Sequence, residues 1–197
     1  EDIQKQWGKI LEEIPTLSQV RIPRCIGDAP DAKLYMLGFG DASKKGFGAV
    51  IYCRKEEGGN VSSILICAKS KVSPMKTETI PRLELNAAVL LSKLMKSVIK
   101  SVENRMKFQK IFAFSDATIP LGWICSPESS SWTSFVNSRI STIRGNVDPK
   151  YWYHVSGTEN PADCLSRGLT PKELLEHKMW FHGPSWIYEV EEKWPIS

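Results

Sequence analysis

A change in the spacing of apolar residues close to residue 80 constrains the fold of this chain more than any other feature. Before that point, largely apolar runs of strand length are joined by short polar turns, the pattern of an antiparallel meander. After it, apolar residues recur at positions 83, 87, 90, 94 and 98, which is the spacing of one helical face. The sequence therefore predicts an α/β domain in which a long helix follows three strands.

Strands and helices alternate in the rest of the predicted domain. The expected elements are strands at 34–39, 46–53 and 61–68, a helix from residue 83, a strand at 111–114, helices at 118–125 and 132–143, a strand at 151–155 and a helix at 160–167. Thr79 is expected to cap the long helix, and Pro81 is tolerated in its first turn. This order predicts a mixed five-stranded sheet, three antiparallel strands and then parallel ones, flanked by helices.

The two ends of the chain differ from this central region. Residues 1–30 hold a short amphipathic stretch that ends at Pro15, and we expect them to form a lead-in segment. Residues 31–169 would form the α/β domain. Residues 170–197 contain three Trp and three Pro and are expected to form an extension. Because the first residue is not Met, we also expect this chain to be a piece of a longer one.

Composition narrows the class of protein. With 197 residues, 42% of them hydrophobic, and a formal net charge of +4, the chain can bury a core, which excludes a disordered protein. No apolar run approaches the roughly 20 residues of a membrane-spanning helix, so we expect no membrane span. Residues 1–6 carry two acids and open no apolar segment, so we expect no secretory signal. The five cysteines have no Cys-x-x-Cys spacing, which favours reduced thiols in an intracellular protein over a zinc site.

Positive charge is concentrated in the middle of the chain. Residues 69–110 contain ten Lys and Arg against three Glu, a net charge of +7, so the remaining residues sum to −3. Such a segment is typical of a protein that binds nucleic acid, and equally of a solvated helix face. Charge alone leaves both interpretations open.

Four acidic residues occupy positions where sheet enzymes place ligands. Asp41 and Asp116 each end a predicted strand, Glu84 lies early in the long helix, and Asp163 lies in the last helix of the domain. Converging carboxylates repel one another, and their hard oxygen atoms suit Mg²⁺ or Mn²⁺ rather than zinc. Each acid alone is more commonly a turn residue or a helix-dipole partner, but the four together predict a two-metal site for phosphoryl transfer.

Short motifs around these acids carry a family resemblance. They lie at residues 38–43, 48–52, 68–74, 79–85, 115–116, 135–139, 160–168 and 180–186. The specific ones are Pro81-Arg82-Leu83-Glu84-Leu85 and the segment that runs Asn160-Pro161-Ala162-Asp163 and ends Ser166-Arg167-Gly168. Together they resemble the ribonuclease H domain of reverse-transcribing elements, most closely that of BEL/Pao long-terminal-repeat retrotransposons, over nearly the whole chain. The motif at 180–186 resembles the segment that leads towards integrase.

The resemblance implies a ribonuclease H-like fold and hydrolysis of the RNA strand of an RNA–DNA hybrid, leaving a 3′-hydroxyl and a 5′-phosphate. It assigns two Mg²⁺ ions, for which Mn²⁺ can substitute, to Asp41, Glu84, Asp116 and Asp163 as catalytic and metal-binding residues. By this analogy Asp41 bridges both ions, Glu84 and Asp116 hold the ion beside the leaving oxygen, and Asp163 holds the ion that activates water. Ala117 follows Asp116 where relatives usually have Ser, and His154 is expected to be buried rather than catalytic.

A set of polar residues near these acids is expected to contact the hybrid. The candidates for phosphate are Lys69, Lys71, Lys76 and Arg82, and the candidates near the scissile strand are Ser43, Asn86, Thr118 and Asn137. Arg139, like Arg167, either contacts nucleic acid or pins a helix end. For each of Ser43, Asn86, Thr118 and Asn137 taken singly, capping or surface solvation is the more common explanation, so these assignments are open.

The resemblance further implies partners and a location. The partners are the reverse transcriptase and integrase regions of one polyprotein, with no membrane, and the location is intracellular, in cytoplasmic virus-like particles and in the nucleus. One alternative is a silent or domesticated module that only binds nucleic acid or protein. A less favoured alternative is an aspartic peptidase, because Asp41-Ala42-Ser43 and Asp116-Ala117-Thr118 resemble that family's paired motif, although both lack its Gly.

Overall fold

A five-stranded sheet forms the centre of the molecule, in the order β3-β2-β1-β4-β5. The computed structural model describes residues 2–23, 31–127 and 132–196, so Cys25 and the rest of the lead-in at 24–30 lie outside the described residues. The strands are β1 (Lys33–Ala42), β2 (Gly46–Glu57), β3 (Asn60–Val72), β4 (Lys110–Ser115) and β5 (Trp152–His154).

The pairing of the strands confirms the predicted mixed sheet. β1 is antiparallel to β2 and β2 is antiparallel to β3, whereas β4 runs parallel to both β1 and β5. β1 and β4 are adjacent, and Gly40 of β1 pairs with Ser115 of β4. Two neighbouring parallel strands therefore end at the same edge of the sheet, where side chains from both can meet.

Seven α-helices surround the sheet in the described part of the chain. They are α1 (Ile3–Glu13), α2 (Ile80–Val102), α3 (Thr118–Cys125), α4 (Ser134–Arg144), α5 (Asp163–Arg167), α6 (Pro171–Glu176) and α7 (Lys178–His182), with 3₁₀ turns at 14–19, 149–151, 157–159, 185–188 and 191–193. Thr79 occupies the N-cap of α2 and Pro81 its first turn, as expected, although no side-chain bond caps the helix. None of the described helices is long and apolar enough to span a membrane.

The last helix of the predicted domain begins later than expected. Residues 160–162 form a turn, and α5 starts at Asp163 rather than at Asn160. The reason is local, because the side-chain oxygen of Asn160 accepts a hydrogen bond from the amide of Ala162 at 3.1 Å. This side-chain bond holds the chain in a turn conformation that competes with a helix at residues 160–162.

Helices cover one face of the sheet and a mixed layer covers the other. On the first face α2 packs along β1 and β2, burying a core that includes Met36, Ile51 and Leu91. On the second face an aromatic cluster forms around Phe39 and Phe114. Because β1 is buried on both faces, it reads as a continuous apolar run and not as an alternating one.

The C-terminal segment supplies much of the second layer. Trp186 and Trp194 pack on the aromatic cluster of the sheet. Arg54 of β2 is only 2% exposed, and it donates hydrogen bonds to the backbone oxygens of Ile187 and Glu189 at 2.5 and 3.2 Å. The boundaries of the segments 1–30, 31–169 and 170–197 stay predictions. Trp186 and Trp194, which belong to the expected extension, lie within the hydrophobic core.

Three smaller features differ from expectation or add to it. His154 is exposed rather than buried, because it ends β5, a three-residue strand at the edge of the sheet. Of the cysteines that the structure describes, each is a free thiol, and Cys125 is the exposed one. Helix α1 buries none of its residues and leaves Trp7 and Leu11 in solvent.

Candidate active site

Asp41 is the most deeply buried of the four acids. It lies at the carboxyl end of β1, is 7% exposed, and its Oδ2 accepts a hydrogen bond from the hydroxyl of Ser166 in α5. Burial raises the pKa of Asp41, the bond from Ser166 lowers it, and the negative charges of Asp116 and Asp163 raise it further, to about 7 overall. Burial and carboxylate repulsion therefore outweigh the hydrogen bond that Ser166 donates to Asp41.

Asp116 reaches the same edge from the neighbouring strand. It follows Ser115, the last residue of β4, which lies beside Gly40 in the parallel register. The side-chain amide of Asn160 donates a hydrogen bond to Oδ1 of Asp116 at 3.2 Å. The charge of Asp116 acts on Asp41, so the ends of β1 and β4 place two carboxylates in electrostatic contact.

Helix α2 contributes Glu84 close to its N-terminal end. The helix lies so near to β1 that a Cβ at Gly40 would be 3.5 Å from the backbone oxygen of Ala87. Glu84 precedes Ala87 by three residues, about one helical turn, and so lies towards the edge where β1 ends. Burial, followed by the charge of Asp116, raises the pKa of the half-buried Glu84.

Asp163 is the first residue of α5 and is partly buried. Its Oδ1 accepts a hydrogen bond from Nε of Arg167 at 2.5 Å, in an i,i+4 ion pair. The Arg167 side chain is 71% exposed, so water and salt screen this pair. The hydrogen bond and charge of Asp163, with weaker contributions from Asp41 and Asp116, raise the pKa of Arg167.

The donor chemistry of this edge fits a hard divalent cation. Asp41 and Glu84 have raised pKa values because burial is combined with carboxylate repulsion, and a bound cation would relieve both. As the side chains stand in the described ranges, no three His, Cys, Asp or Glu are gathered closely enough to hold a metal ion. The Asp41 and Asp163 carboxylates are instead turned to Ser166 and Arg167.

Two arginines expected to contact nucleic acid share one aromatic ring. The guanidinium carbon of Arg139 lies 3.3 Å from the ring centroid of Phe135, and that of Arg82 lies 4.7 Å from the same centroid. Nε of Arg139 donates to Oδ1 of Asn86 at 2.6 Å, and the amide of Asn86 donates to Glu78 at 3.1 Å. The structure thus brings three predicted contact residues, Arg82, Asn86 and Arg139, into one cluster between α2 and α4.

Asn137 and Thr118 lie on the helices that follow β4. The amide of Asn137 donates to the backbone oxygen of Trp132 at 3.0 Å, while its buried Oδ1 has no hydrogen-bond partner among the described residues. Thr118 is exposed at the start of α3, two residues after Asp116. Contacts of either residue with nucleic acid stay predictions.

The predicted lysine contacts lie on and beyond the edge strand β3. Lys69 and Lys71 are exposed near its end, and Lys76 is exposed in the connection to α2. Ser43, in the β1–β2 turn, already donates its hydroxyl to the backbone oxygen of Ser166 at 2.6 Å and accepts from the amide of Lys45 at 3.1 Å. The turn therefore uses the hydrogen-bonding capacity that we expected Ser43 to offer to a hybrid.

Sequence reasoning did not identify two residues that hold these acids. Asn160 and Ser166 are both buried, and each donates a hydrogen bond to one of the four carboxylates. Both belong to the motif at 160–168, in which the sequence predicts Asp163 as the acid and Arg167 as a candidate contact with nucleic acid. The spacing of polar residues around Asp163 in that motif was the available signal.

Solved structures with a similar chain path include three ribonucleases H. The RNase H1 of the archaeon Halobacterium salinarum is 12% identical, with a TM-score of 0.41, and the match covers 68% of this chain and 95% of that one. The N-terminal RNase H domain of Rv2228c from Mycobacterium tuberculosis is 8% identical, with a TM-score of 0.45 and coverages of 74% and 99%. LC11-RNase H1, isolated from compost and solved with an RNA/DNA hybrid, is 13% identical, with a TM-score of 0.43 and coverages of 72% and 99%.

The amino-acid sequence of the chain matches a known protein family. None of the curated proteins matches the chain. Residues 1–117, more than half of its length, match the family described as the Pao retrotransposon-like RNaseH-like domain. The matched part includes Asp41, Glu84 and Asp116, and ends before Asp163. The chain therefore belongs to the Pao retrotransposon-like RNaseH-like domain family.

Proposed function

We propose that this chain is a ribonuclease H, an endonuclease that hydrolyses the RNA strand of RNA–DNA hybrids with divalent metal ions during retrotransposon reverse transcription. The observation that carries the proposal is electrostatic: the charges of Asp116 and Asp163 raise the pKa of Asp41, and the charge of Asp116 raises that of Glu84. Family membership supports the same reaction class.

The four carboxylates would hold the ions. By analogy with the family, Asp41 would bind both ions, Glu84 and Asp116 would bind one, and Asp163 would bind the other. Two Mg²⁺ or Mn²⁺ ions would supply charge stabilisation to the attacking and leaving oxygens of an in-line displacement. Asn160 donates a hydrogen bond to Asp116, and Ser166 donates one to Asp41. Both donors are uncharged, so they orient the two carboxylates without neutralising a charge that cations can bind.

The hybrid would bind along the basic surface beside this edge. Lys69, Lys71 and Lys76 offer exposed positive charge that can contact phosphates without reading sequence. Arg82 and Arg139 are stacked on Phe135, which limits their freedom and lowers the entropic cost of binding a phosphate. Recognition of RNA in the hybrid requires contacts to 2′-hydroxyl groups, for which Asn86, Asn137 and Thr118 are the candidates.

Cleavage of an end-labelled hybrid tests the proposal. The wild-type chain should cut the RNA strand in Mg²⁺ or Mn²⁺, leave 3′-hydroxyl and 5′-phosphate ends, and spare duplex DNA, whereas Asp41→Asn should not cut. An Asp31→Asn variant serves as the control, since Asp31 is exposed and precedes β1 at its other end. Equal cutting by Asp41→Asn would contradict the metal assignment, and absence of cutting by the wild type would contradict the enzyme assignment.

A module that binds hybrid without cutting it is the second candidate. The observation in its favour is the ion pair of Asp163 with Arg167, which occupies one carboxylate of the four. Hybrid binding by the wild type, measured by fluorescence anisotropy, together with an intact RNA strand in both metals would identify this alternative. Cutting that is lost in Asp41→Asn would exclude it.

We also propose that the chain acts beside reverse transcriptase and integrase regions of one polyprotein, inside the cell in virus-like particles and in the nucleus. The name of the family supports this context. Joining the chain to an adjacent reverse transcriptase region should increase its affinity for hybrid. Unchanged affinity in the joined protein would speak against that partnership.

A further inference from the structure

The side chain of Asn160 joins three parts of the proposed site. It is fully buried, and its Nδ2 donates to the backbone oxygen of Gly40 at 3.1 Å and to Oδ1 of Asp116 at 3.2 Å. Its Oδ1 accepts from the amide of Ala162 at 3.1 Å. Along the sequence, Asn160 is 120 residues from Gly40 of β1 and 44 residues from Asp116, which follows β4. One amide group therefore connects the ends of both strands to the start of α5.

Each of these contacts lies beside one of the acids. Gly40 precedes Asp41, Asp116 is contacted directly, and Ala162 precedes Asp163. The backbone oxygen of Asn160 also accepts from the amide of Asp163 at 3.1 Å, which fixes where α5 begins. Three of the four carboxylates thus depend on Asn160 for their relative positions.

Only an amide of this size satisfies the three partners. The Ala162 amide can only donate, and the Gly40 oxygen and the Asp116 carboxylate accept, so the orientation of the Asn160 amide is fixed by its neighbours. A carboxylate at position 160 would lose both donated bonds and repel Asp116. An arginine or lysine there would neutralise Asp116, whereas the amide orients it and leaves its charge intact.

We propose that Asn160 is a positioning residue, which holds Asp116 and the start of α5 against the end of β1 so that the carboxylates are aligned for a divalent cation. This inference rests on the proposed function. Residues that hydrogen-bond to metal ligands commonly affect metal affinity by 10- to 100-fold, because they fix the orientation of the ligand. Asn160 acts in this way through Asp116 and does not itself contact the reacting atoms.

A titration of the full chain with Mn²⁺, without hybrid, tests the role of Asn160. Electron paramagnetic resonance measures the free Mn²⁺ at each step and so gives the affinity. Asn160→Ala should weaken Mn²⁺ binding by about tenfold or more and raise the Mn²⁺ concentration for half-maximal cleavage by a similar factor. Hybrid affinity in EDTA should not change, because the phosphate-binding residues lie elsewhere. Excess Mn²⁺ should restore part of the cleavage rate.

A matched variant and a second substitution make the test decisive. Asn146→Ala also removes a side-chain amide, which contacts Ser92 away from the acids, and should bind Mn²⁺ like the wild type. Asn160→Ser keeps a small polar group and guards against simple unfolding, which circular dichroism would report. Native Mn²⁺ dependence in a folded Asn160→Ala or Asn160→Ser overturns the inference, and so does unfolding of both. A wild-type chain that neither binds Mn²⁺ nor cuts hybrid would contradict the proposed function instead.

Discussion

Ser166 of α5 donates a hydrogen bond to Asp41 at the end of β1, across 125 residues of sequence. The same hydroxyl lies 3.1 Å from the backbone oxygen of Asp163. α5 is only five residues long, yet it carries one acid and orients another. Hydrogen bonds of Ser166 therefore link the carboxylate at the end of β1 to the helix that carries Asp163, without any cation.

Removal of the Ser166 hydroxyl should impair the site without disrupting the fold. Ser166→Ala leaves a buried carboxylate with one donor fewer, so the pKa of Asp41 should rise further, and hydrolysis of hybrid at pH 7 should fall about tenfold. The bond to a charged group is worth about 1.5–3 kcal/mol, which urea unfolding would measure at pH 8. Ser92→Ala is the control, since Ser92 is also buried but its hydroxyl bonds to Val89 of α2 and to Asn146, away from the acids. Equal rates for Ser166→Ala and the wild type would contradict the role of Ser166.

Without metal, the stability of the chain should depend on the protonation of Asp41. Its pKa is about 7 in the folded chain against 3.8 as the ordinary value, so the folded state binds the proton more tightly than the unfolded state. In EDTA, stability should therefore fall as the pH rises from about 4 to 7 and stay low above that range. Asp41→Asn should raise the free energy of unfolding by about 2–4 kcal/mol at pH 8 and by much less at pH 5.

Thermal unfolding at several pH values in EDTA would measure this difference. Mg²⁺ should stabilise the wild type and leave Asp41→Asn less affected, because ligand binding to the folded state adds to its stability. The exposed Asp31→Asn should leave the pH dependence unchanged. A wild-type stability that rises between pH 5 and 7 in EDTA would contradict the raised pKa of Asp41.

The sequence allowed the strands, α2 and the elements that carry the four acids to be predicted because local patterns determine them. The continuous apolar runs of β1 and β4 and the helical spacing after Leu83 each depend on residues near one another in the chain. Asn160 and Ser166 could not be identified in this way, because their roles depend on partners 44 to 125 residues distant. Their polar side chains do not reveal, without the topology, which carboxylates they face.

The cluster of two arginines on Phe135 should contribute to hybrid affinity more than its charge alone suggests. Arg139→Ala should weaken binding in EDTA and reduce the slope of log affinity against log salt by about 1, as expected for one lost phosphate contact. Phe135→Ala should weaken binding while retaining both charges, because Arg82 and Arg139 lose the ring that holds them. Fluorescence anisotropy with a labelled hybrid at several salt concentrations gives both quantities.

A charge elsewhere on the chain provides the comparison for this surface. Lys33 begins β1, at the opposite end of the strand from Asp41, and is exposed. Lys33→Ala should change neither the affinity nor the salt slope by more than a small amount. An equal loss of affinity in Lys33→Ala and Arg139→Ala would mean that overall charge, and not this cluster, binds the hybrid.

The cysteines should differ in reactivity according to their burial. Burial raises the pKa of Cys53 to about 12, and burial with the charge of Asp163 raises that of Cys164 to about 11. In a Cys25→Ser background at pH 8, iodoacetamide should therefore label the exposed Cys125 first and label Cys53 and Cys164 only after unfolding. Peptide mapping by mass spectrometry gives the order, and early labelling of Cys53 would contradict the packing of β2.

The two ends of the chain should differ sharply in their importance for folding. Deletion of residues 170–197 removes Trp186 and Trp194 from the second face of the sheet and leaves buried Arg54 without its backbone acceptors at Ile187 and Glu189. Loss of one such buried tryptophan commonly costs about 3–5 kcal/mol. Arg54 keeps its ion pair with Glu56 but loses two hydrogen-bond acceptors, which adds to that cost, so the shortened chain should not unfold cooperatively. Deletion of residues 1–23 is the control, since α1 buries none of its residues and should contribute less than about 1 kcal/mol. Cooperative urea unfolding of a chain ending at residue 169 would show that the C-terminal segment is a separable extension.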